Sequence, residues 1–478
     1  MTQAHSIFKQ NFLEYASYVI KERAIPDLVD GFKPVQRRII HTLFEMDDGK
    51  FHKVANVVGW AMRYHPHGDS SIYEALVNLA NCDLFIERQG NFGNTLTGDS
   101  AAAARYIECR LLPFAKKVLY NPELTEFVDS YDGRNQEPVA FPAKIPVVLI
   151  QGVSGIAVGM STYILPHNPL EVLDAMAASL KGESYQLYPD FLGGGIVDVE
   201  DYRDGRGSVS VRAKLNTSDP KRIIIEELPY GTTSEAMIRS VEEAAKKGKL
   251  KISSINDYTA EKVNIEINLA RNTYAQEIVD ALYAYTDCET KLSINPLVIK
   301  DNVPTIMGVH EILDWHARHL VVVLKAELEL EKGHLLDKLH ARTLERIFIE
   351  ERIYKRIEQK KSADEVNKAV ISGFKPFTER LLRPVDLDDV ERLLKIPIRR
   401  ISLFDIEKNR EDIDQINANL AEIERKLADL VGYALTYIAE LKTMLGVKEH
   451  QRKTTIKTFE LIDVKEVAER NLAVKYDP

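Results

Sequence analysis

The sequence predicts an α+β protein of several domains, and three observations carry that reading. Its 478 residues exceed what a single core usually organises. Val263, Ile265, Ile267 and Leu269 alternate as a half-buried strand does, in a region punctuated by Gly193-Gly194-Gly195 and Asp204-Gly205. A stripe at 3-4 spacing then runs through Ile406, Ile413, Ile416, Leu420, Ile423, Leu427, Leu430, Ala434, Tyr437, Leu441 and Met444, the pattern of a coiled coil. Composition, 45% hydrophobic and 28% charged, is that of a globular chain. No apolar run reaches the roughly 18 residues of a membrane span, and the N-terminal MTQAHSIFKQNF lacks the apolar core of a signal peptide. Cys82, Cys109 and Cys288 form neither metal spacing nor an even disulfide framework, which points to a reducing cytoplasm. A net charge of −9 opposes indiscriminate affinity for nucleic acid but allows a local basic groove.

Taken in order, residues 6–22 have helical apolar spacing (Phe8, Phe12, Tyr15, Val19), and Pro26 ends that helix. Asp30-Gly31 makes a turn. Lys33-Pro34-Val35-Gln36-Arg37-Arg38 opens a second helix with Pro in its first turn. Ile39, Ile40, Leu43 and Phe44 take one side, leaving Lys33, Arg37 and Arg38 to the other, a pattern that in isolation is ordinarily a solvated face. Lys53–Tyr64 reads as a helix, His65-Pro66-His67-Gly68-Asp69 as a tight break, and Ser70 to Ala80 as a further helix with Ile72, Leu76 and Leu79 buried. Two short helices meeting at a break have the layout of a helix-turn-helix, whose second helix lies in a DNA groove. Asp69 and Ser70 suit the N-cap, and Arg63, His65 and His67 surround a helix start where phosphate binds readily. The HxHxD string also has metallohydrolase spacing, but Ser70 stands where a further His is expected and no second cluster exists, so no metal site is assigned.

The chain is organised around Gly90–Arg110, GNFGNTLTGDSAAAARYIECR. Glycines admit close backbone approach, and Ser100–Ala104 form a low wall of small side chains. Arg105 and Tyr106 stand side by side at its end. Arg offers phosphate a planar fork of donors, and Tyr is a possible covalent nucleophile, so the pair suggests attack on a phosphodiester. Most of the 20 tyrosines must simply pack, and this segment alone does not decide.

Five segments do: Arg23-Ala-Ile-Pro-Asp, Asp30-Gly-Phe-Lys-Pro-Val-Gln-Arg-Arg, His65-Pro-His-Gly-Asp-Ser, Gln89-Gly-Asn-Phe-Gly and Gly98-Asp-Ser-Ala-Ala-Ala-Ala-Arg-Tyr. In this order and spacing they resemble the breakage-reunion region of bacterial type IIA topoisomerase A subunits, the DNA gyrase and topoisomerase IV family. The likeness continues through Lys144-Ile-Pro, Gly155-Ile-Ala-Val-Gly-Met and Pro166-His-Asn, and so covers nearly the whole chain. It implies a winged-helix DNA-gate domain over 1–150, a tower over 151–310, coiled-coil arms at 311–352 and 401–447, a C-gate globule at 353–400 and a tail at 448–478. The arms read as antiparallel, with Val321, Leu324, Leu328, Leu335 and Leu339 facing the later stripe. By the same resemblance Tyr106 is the nucleophile and Arg105 its transition-state partner. Arg23, Lys33, Arg37, Arg38, Arg63, His65 and His67 line the DNA, and Ile156 wedges between base pairs. Ser70 and Glu74 fall at the quinolone contacts. The base that takes the phenolic proton stays open between His65 and His67. The resemblance implies that Mg²⁺ is held mainly by a B subunit carrying the ATPase and Toprim functions, and that ATP is bound there too, in keeping with Gly152–Gly159, which lacks the Gly-Lys-Ser/Thr of a P-loop. The implied assembly is an A2B2 heterotetramer, homodimeric through the C-gate, on double-stranded DNA in the nucleoid.

Departures from the family pattern are Gln36 for a frequent His, Val29 for a frequent Arg, and a slightly longer Asn94–Thr97 loop. A non-catalytic DNA-bending dimer is opposed by the intact Arg105-Tyr106, and a plain coiled-coil protein would leave the first 170 residues idle. With only a short tail after the stripe, the expectation is relaxation and decatenation, as in topoisomerase IV. Gyrase without its wrapping domain is the alternative.

Overall fold

The computed structural model describes residues 2–397 and 406–446, with 448, 450–460, 462 and 467; side chains are described from Gln10 onward, that of Ile406 excepted. The expectations for Phe8, for 398–405 at the edge of globule and arm, and for most of the tail therefore lie outside the described residues. The chain divides into two compact units, Met1–Leu320 with Tyr437–Pro478, and Val321–Thr436. Helix and sheet mix in the first; among the described residues of the second, the regular elements are helices.

In the first unit α1 (Thr2–Val19) passes through one π-type turn, Ile20–Ala24, before Ile25 becomes extended. Its predicted stripe is only partly buried: Val19 packs inside, while Phe12 and Tyr15 stay exposed. Helix α2 (Pro34–Glu45) starts at Pro34 as expected, and Ile39, Ile40, Leu43 and Phe44 bury. Strand β1 (His52–Lys53), α3 (Val54–Ala61), α4 (Asp69–Ala80), β2 (Ile86–Gln89) and β3 (Glu108–Leu111) follow. The strands form an antiparallel sheet in the order β1-β3-β2, pairing His52 with Cys109 and Ile86 with Leu111. Ile72, Leu76 and Leu79 are buried on α4, but its N-cap is Gly68, not Asp69 or Ser70. The turn at Pro66–Gly68 carries the chain one residue earlier into the helix than the capping chemistry suggested.

Asp30 is the hub beneath α2. Its carboxylate, fully buried, accepts from Arg37 Nε (2.6 Å) and Nη2 (2.9 Å) and from the amides of Phe32 and Phe141, 3.0 Å each. Arg37 therefore lies inside, and the expectation that it shares the open side of α2 with Lys33 and Arg38 is not met.

After α5 (Pro113–Leu119), the hairpin β4 (Phe127–Asp129) with β5 (Gln136–Pro138) and α6 (Val147–Gln151), a second hairpin joins β6 (Val153–Ile156) to β7 (Ser161–Ile164). Helix α7 (Pro169–Lys181) begins at the Pro166-His-Asn motif, where Asn168 Oδ1 caps the amides of Leu170 and Glu171 and buried His167 bonds Leu149 O and Tyr202 Oη.

The mixed region holds two four-stranded sheets. One runs β10 (Lys214–Asn216), β11 (Arg222–Glu227), β13 (Ile265–Leu269), β12 (Ile252–Asp257). Ile265, Ile267 and Leu269 alternate inward as predicted, under α8 (Ser234–Lys246) and α9 (Ala275–Tyr285). Thr233 caps α8 by accepting from Ala236 N. The other sheet runs β14 (Glu289–Ser293), β9 (Ser208–Arg212), β8 (Ile196–Asp198), β17 (Thr455–Ile456), with the small pair β15 (Leu297–Lys300) and β16 (Val303–Ile306) nearby in sequence. Strand β17 belongs to what the sequence suggested was a tail. Residues 450–460 are instead held firmly: Arg452 forks onto Glu171, the amides of Lys453 and Thr454 donate to Asp190, and β17 pairs in parallel with β8.

The second unit takes the C-terminal part of α10 (Val309–Glu350), then α11 (Ala363–Phe374), α12 (Leu387–Leu394), α13 (Ile406–Ala428) and the start of α14 (Leu430–Leu445). Lys332 pairs with Glu424 and Arg342 with Asp412, so α10 and α13 run antiparallel. Leu344, Phe348, Ile353, Val370, Phe374, Val390 and Leu393 form a core between them in sequence. The long 3-4 stripe is not one helix. Asp429 interrupts it, its carboxylate accepting from Gly432 N at 2.9 Å as a local cap.

Candidate active site

Arg105 and Tyr106 end a loop tied down by backbone bonds. Ala102 N donates to Asn91 O, Ala55 N to Ala104 O and Val54 N to Ile107 O, at 2.9 to 3.1 Å. Gly93 has φ +83°, and a Cβ there would meet Asp99 O at 2.6 Å, so a side chain would open this loop. Lys53 Nζ holds the Arg105 carbonyl at 3.2 Å, and Tyr73 Oη on α4 donates to Ala102 O at 2.7 Å. Upstream, Leu96 O accepts from Ser234 N at 2.8 Å, stitching the Asn94–Thr97 loop to the start of α8. The result is a fixed backbone carrying a free phenol: Tyr106 is 66% exposed, and the exposed Arg105 guanidinium lies 4.6 Å from its ring centroid.

A second group forms around α2 and the His65-Pro-His break. Arg38 forks onto Glu137 through Nε and Nη2 and donates from Nη1 to His65 Nδ1 at 3.1 Å. A guanidinium only donates, so Nδ1 of His65 is an acceptor and its ring proton sits on Nε2. Burial, then Arg38, His67 and Arg23, push the His65 pKa down to about 4. The ring of His67 meets that of His65 edge to face at 4.8 Å, and His67 Nε2 lies 3.0 Å from Tyr18 Oη. Arg23, in the π-type turn, is exposed. Arg63 stacks over Trp60 and bonds Asn135 in the β4–β5 turn. Ser70 and Glu74 are exposed one turn apart on α4.

The third group is the β6–β7 hairpin. Ile156, at its tip, is 85% exposed, and Gly155 beside it presses on Ala24. Lys33 Nζ donates to Ser154 O at 2.6 Å, and burial lowers its pKa. Lys33 thus braces the hairpin.

The structure accordingly brings Arg38, His65 and His67 together, sets Lys33 against Ile156's hairpin, keeps Arg105-Tyr106 on a separate braced loop, and buries Arg37 on Asp30. Sequence reasoning missed Glu137, Tyr18 and the Leu96–Ser234 stitch. Glu137 and Tyr18 lie outside every motif, and Tyr18 is not one of the apolar positions that mark the first helix. The loop insertion at Asn94–Thr97 was the one visible sign of the stitch. Among the described residues no group of three or more His, Cys, Asp or Glu is placed to hold a metal ion, and no helix is long and apolar enough to cross a membrane.

A family model described as the DNA gyrase/topoisomerase IV A subunit matches residues 23–441. The A subunit of DNA topoisomerase 4 from Borreliella burgdorferi is 54% identical over 469 residues, covering 98% of this chain and 75% of that protein. The DNA gyrase A subunit of Metamycoplasma arthritidis is 31% identical, covering 96% of this chain and 55% of that one. The DNA gyrase A subunit of Streptomyces coelicolor is 31% identical, with 95% and 56% covered. The chain spans about half the length of these gyrase relatives.

Proposed function

Since this chain belongs to the A-subunit family of DNA gyrase and topoisomerase IV, the type IIA topoisomerases, we propose that it is the subunit that cuts and reseals DNA, with Tyr106 as nucleophile. The observation that carries the reading is an exposed phenol beside an exposed guanidinium on a loop otherwise fixed by its backbone. Oη of Tyr106 bonds to phosphorus as the bond to the 3′ oxygen breaks, leaving a 5′-phosphotyrosine and a 3′-hydroxyl. Arg105 stabilises charge on the non-bridging oxygens. Arg38, Arg63, Arg23, His65 and His67 meet the backbone of the duplex, and Ile156 enters the base stack; the hairpin's exposure and bracing support that role. In this reading α2, α3, α4 and the β1-β3-β2 sheet are a winged helix, and α10 with α13 is a coiled-coil arm of a homodimer. Arg37 acts indirectly, by fixing the start of α2.

The donors on this chain do not make up a metal site among the described residues. Mg²⁺ and ATP are assigned to a B subunit, in an A2B2 assembly in the nucleoid-bearing cytoplasm. Greater identity to a topoisomerase 4 relative (54%) than to gyrase relatives (31%) favours relaxation and decatenation over negative supercoiling. The test incubates the chain with a B subunit, Mg²⁺ and plasmid. Denaturant should trap protein linked to 5′ ends, and relaxed plasmid with ATP should gain no negative supercoils. Failure of the first outcome sinks the cleavage reading; failure of the second sinks the topoisomerase IV-like one.

A further inference from the structure

Tyr18 sits on α1, outside every motif that pointed to the site, yet its hydroxyl is 3.0 Å from His67 Nε2 and its ring meets the imidazole edge to face, centroids 6.4 Å apart. A hydrogen bond between a phenol and a neutral imidazole has a preferred sense. The phenol is the more acidic donor, and an imidazole nitrogen is far more basic than a phenolic oxygen. The O–H therefore donates to Nε2. The groups around the two rings are Arg38 on α2, Glu137 on β5, Arg23 in the π-type turn and Tyr18 on α1. Arg38 already holds the lone pair of His65 Nδ1.

We propose that Tyr18 is a positioning residue of this site: by donating to Nε2 of His67 it holds that ring as the Nδ1–H tautomer, so that His67, like His65, meets the phosphate as a neutral hydrogen-bond donor and not as a base. The proposal rests on the reading of the site as one that cleaves a phosphodiester. Its chemical sense is that of a fixed neutral imidazole serving as electrophile. With both lone pairs occupied, the proton of Tyr106 passes to water as Oη bonds to phosphorus, and the departing 3′ oxygen takes a proton from water. The exposure of Tyr106 gives water that access. The pair also ties the site to α1, one turn before the π-type turn that bears Arg23.

The test has two arms. Long-range nitrogen–proton spectra of ring-labelled histidines, taken on the chain alone near neutral pH, should give His65 as the Nε2–H tautomer and His67 as the Nδ1–H tautomer. Tyr18→Phe should move His67 toward Nε2–H and leave His65 unchanged. With Mg²⁺ and a B subunit, single-turnover cleavage by Tyr18→Phe should slow about fivefold, the loss of one hydrogen bond, while DNA affinity stays within about twofold. Tyr18→Gln, whose amide N–H can donate to the same nitrogen, should recover part of the rate. An Nε2–H tautomer of His67 in the unaltered chain, or a Tyr18→Phe variant cleaving at full rate, overturns the proposal. The spectra need neither DNA nor a partner, so a chain that cleaves nothing counts against the proposed function and leaves the tautomer result to decide this one.

Discussion

Gly155 lies against the carbonyl of Ala24 so closely that a Cβ built on it would collide with the oxygen. The hairpin that bears Ile156 is thus seated directly on the turn that bears Arg23. Ile156→Ala should shorten the wedge and lower DNA bending and cleavage together, without unfolding, because the side chain is 85% exposed. Gly155→Ala should do the same by lifting the hairpin, with Ile156 intact. Bend angles from fluorescence transfer that are unchanged in both variants would refute the wedge.

Tyr106→Phe removes one oxygen from an exposed side chain and should leave stability within about 0.5 kcal/mol. It should abolish the covalent complex while DNA binding changes little. Protein-linked breaks surviving in this variant would mean another nucleophile.

Ser70 and Glu74 present their side chains to solvent on the same face of α4. Quinolones should trap the cleavage complex through this pair, and Ser70→Leu should weaken trapping by removing the hydroxyl. Equal drug sensitivity of the two proteins would place the drug elsewhere.

Asp30 and Arg37 are both buried, and Asp30 accepts from four donors. Asp30→Ala should cost about 3–5 kcal/mol by leaving the guanidinium buried without its partner. The double change Asp30→Leu with Arg37→Met should be milder than the single one. Urea midpoints measure both, and a single variant losing under about 1 kcal/mol would show that the pair is not holding the turn.

Burial pushes the pKa of His65, His167 and His319 down to about 4 and that of His316 to about 3. Their folded values lie below the unfolded one of about 6.5, so the unfolded chain takes up protons first. Stability should be full above about pH 6.5 and fall as pH drops toward 4. Asp27, raised to about 6 by burial and by Asp30, works in the opposite sense over part of that interval. Denaturation curves at neutral pH and at about pH 5 should separate clearly; coincident curves would mean that these rings are charged or exposed in the fold.

Much of the site was legible because its residues sit in contiguous strings whose local structure is self-determined. Pro34 starts α2, Asn168 caps α7, and the glycines around Asn94 shape the loop that ends at Tyr106. What could not be read depends on long-range partners. Arg37 and Arg38 look alike in sequence, yet one closes on Asp30 seven residues away and the other on Glu137 across a hairpin. Asp429 and Gly432 passed unnoticed inside an apolar stripe because their bond to each other, not hydrophobic spacing, breaks the helix. Strand β17 is two residues long, and only its parallel partner in β8 makes it a strand.

That last pairing has a consequence for how the polypeptide is made. Thr454 Oγ1 receives the amide of Phe191 across 263 positions of sequence, so the free side of β8 waits while the ribosome writes everything between. At ordinary elongation rates the wait is on the order of tens of seconds. During it Ile196–Asp198 is an open sheet edge, able to pair with a neighbouring nascent chain. The strongly anchored Arg452–Thr455 segment is therefore the clasp that ends this exposure. Expression with that segment weakened, for example by Arg452→Ala, should yield more insoluble protein long before it lowers the stability of molecules that do finish folding.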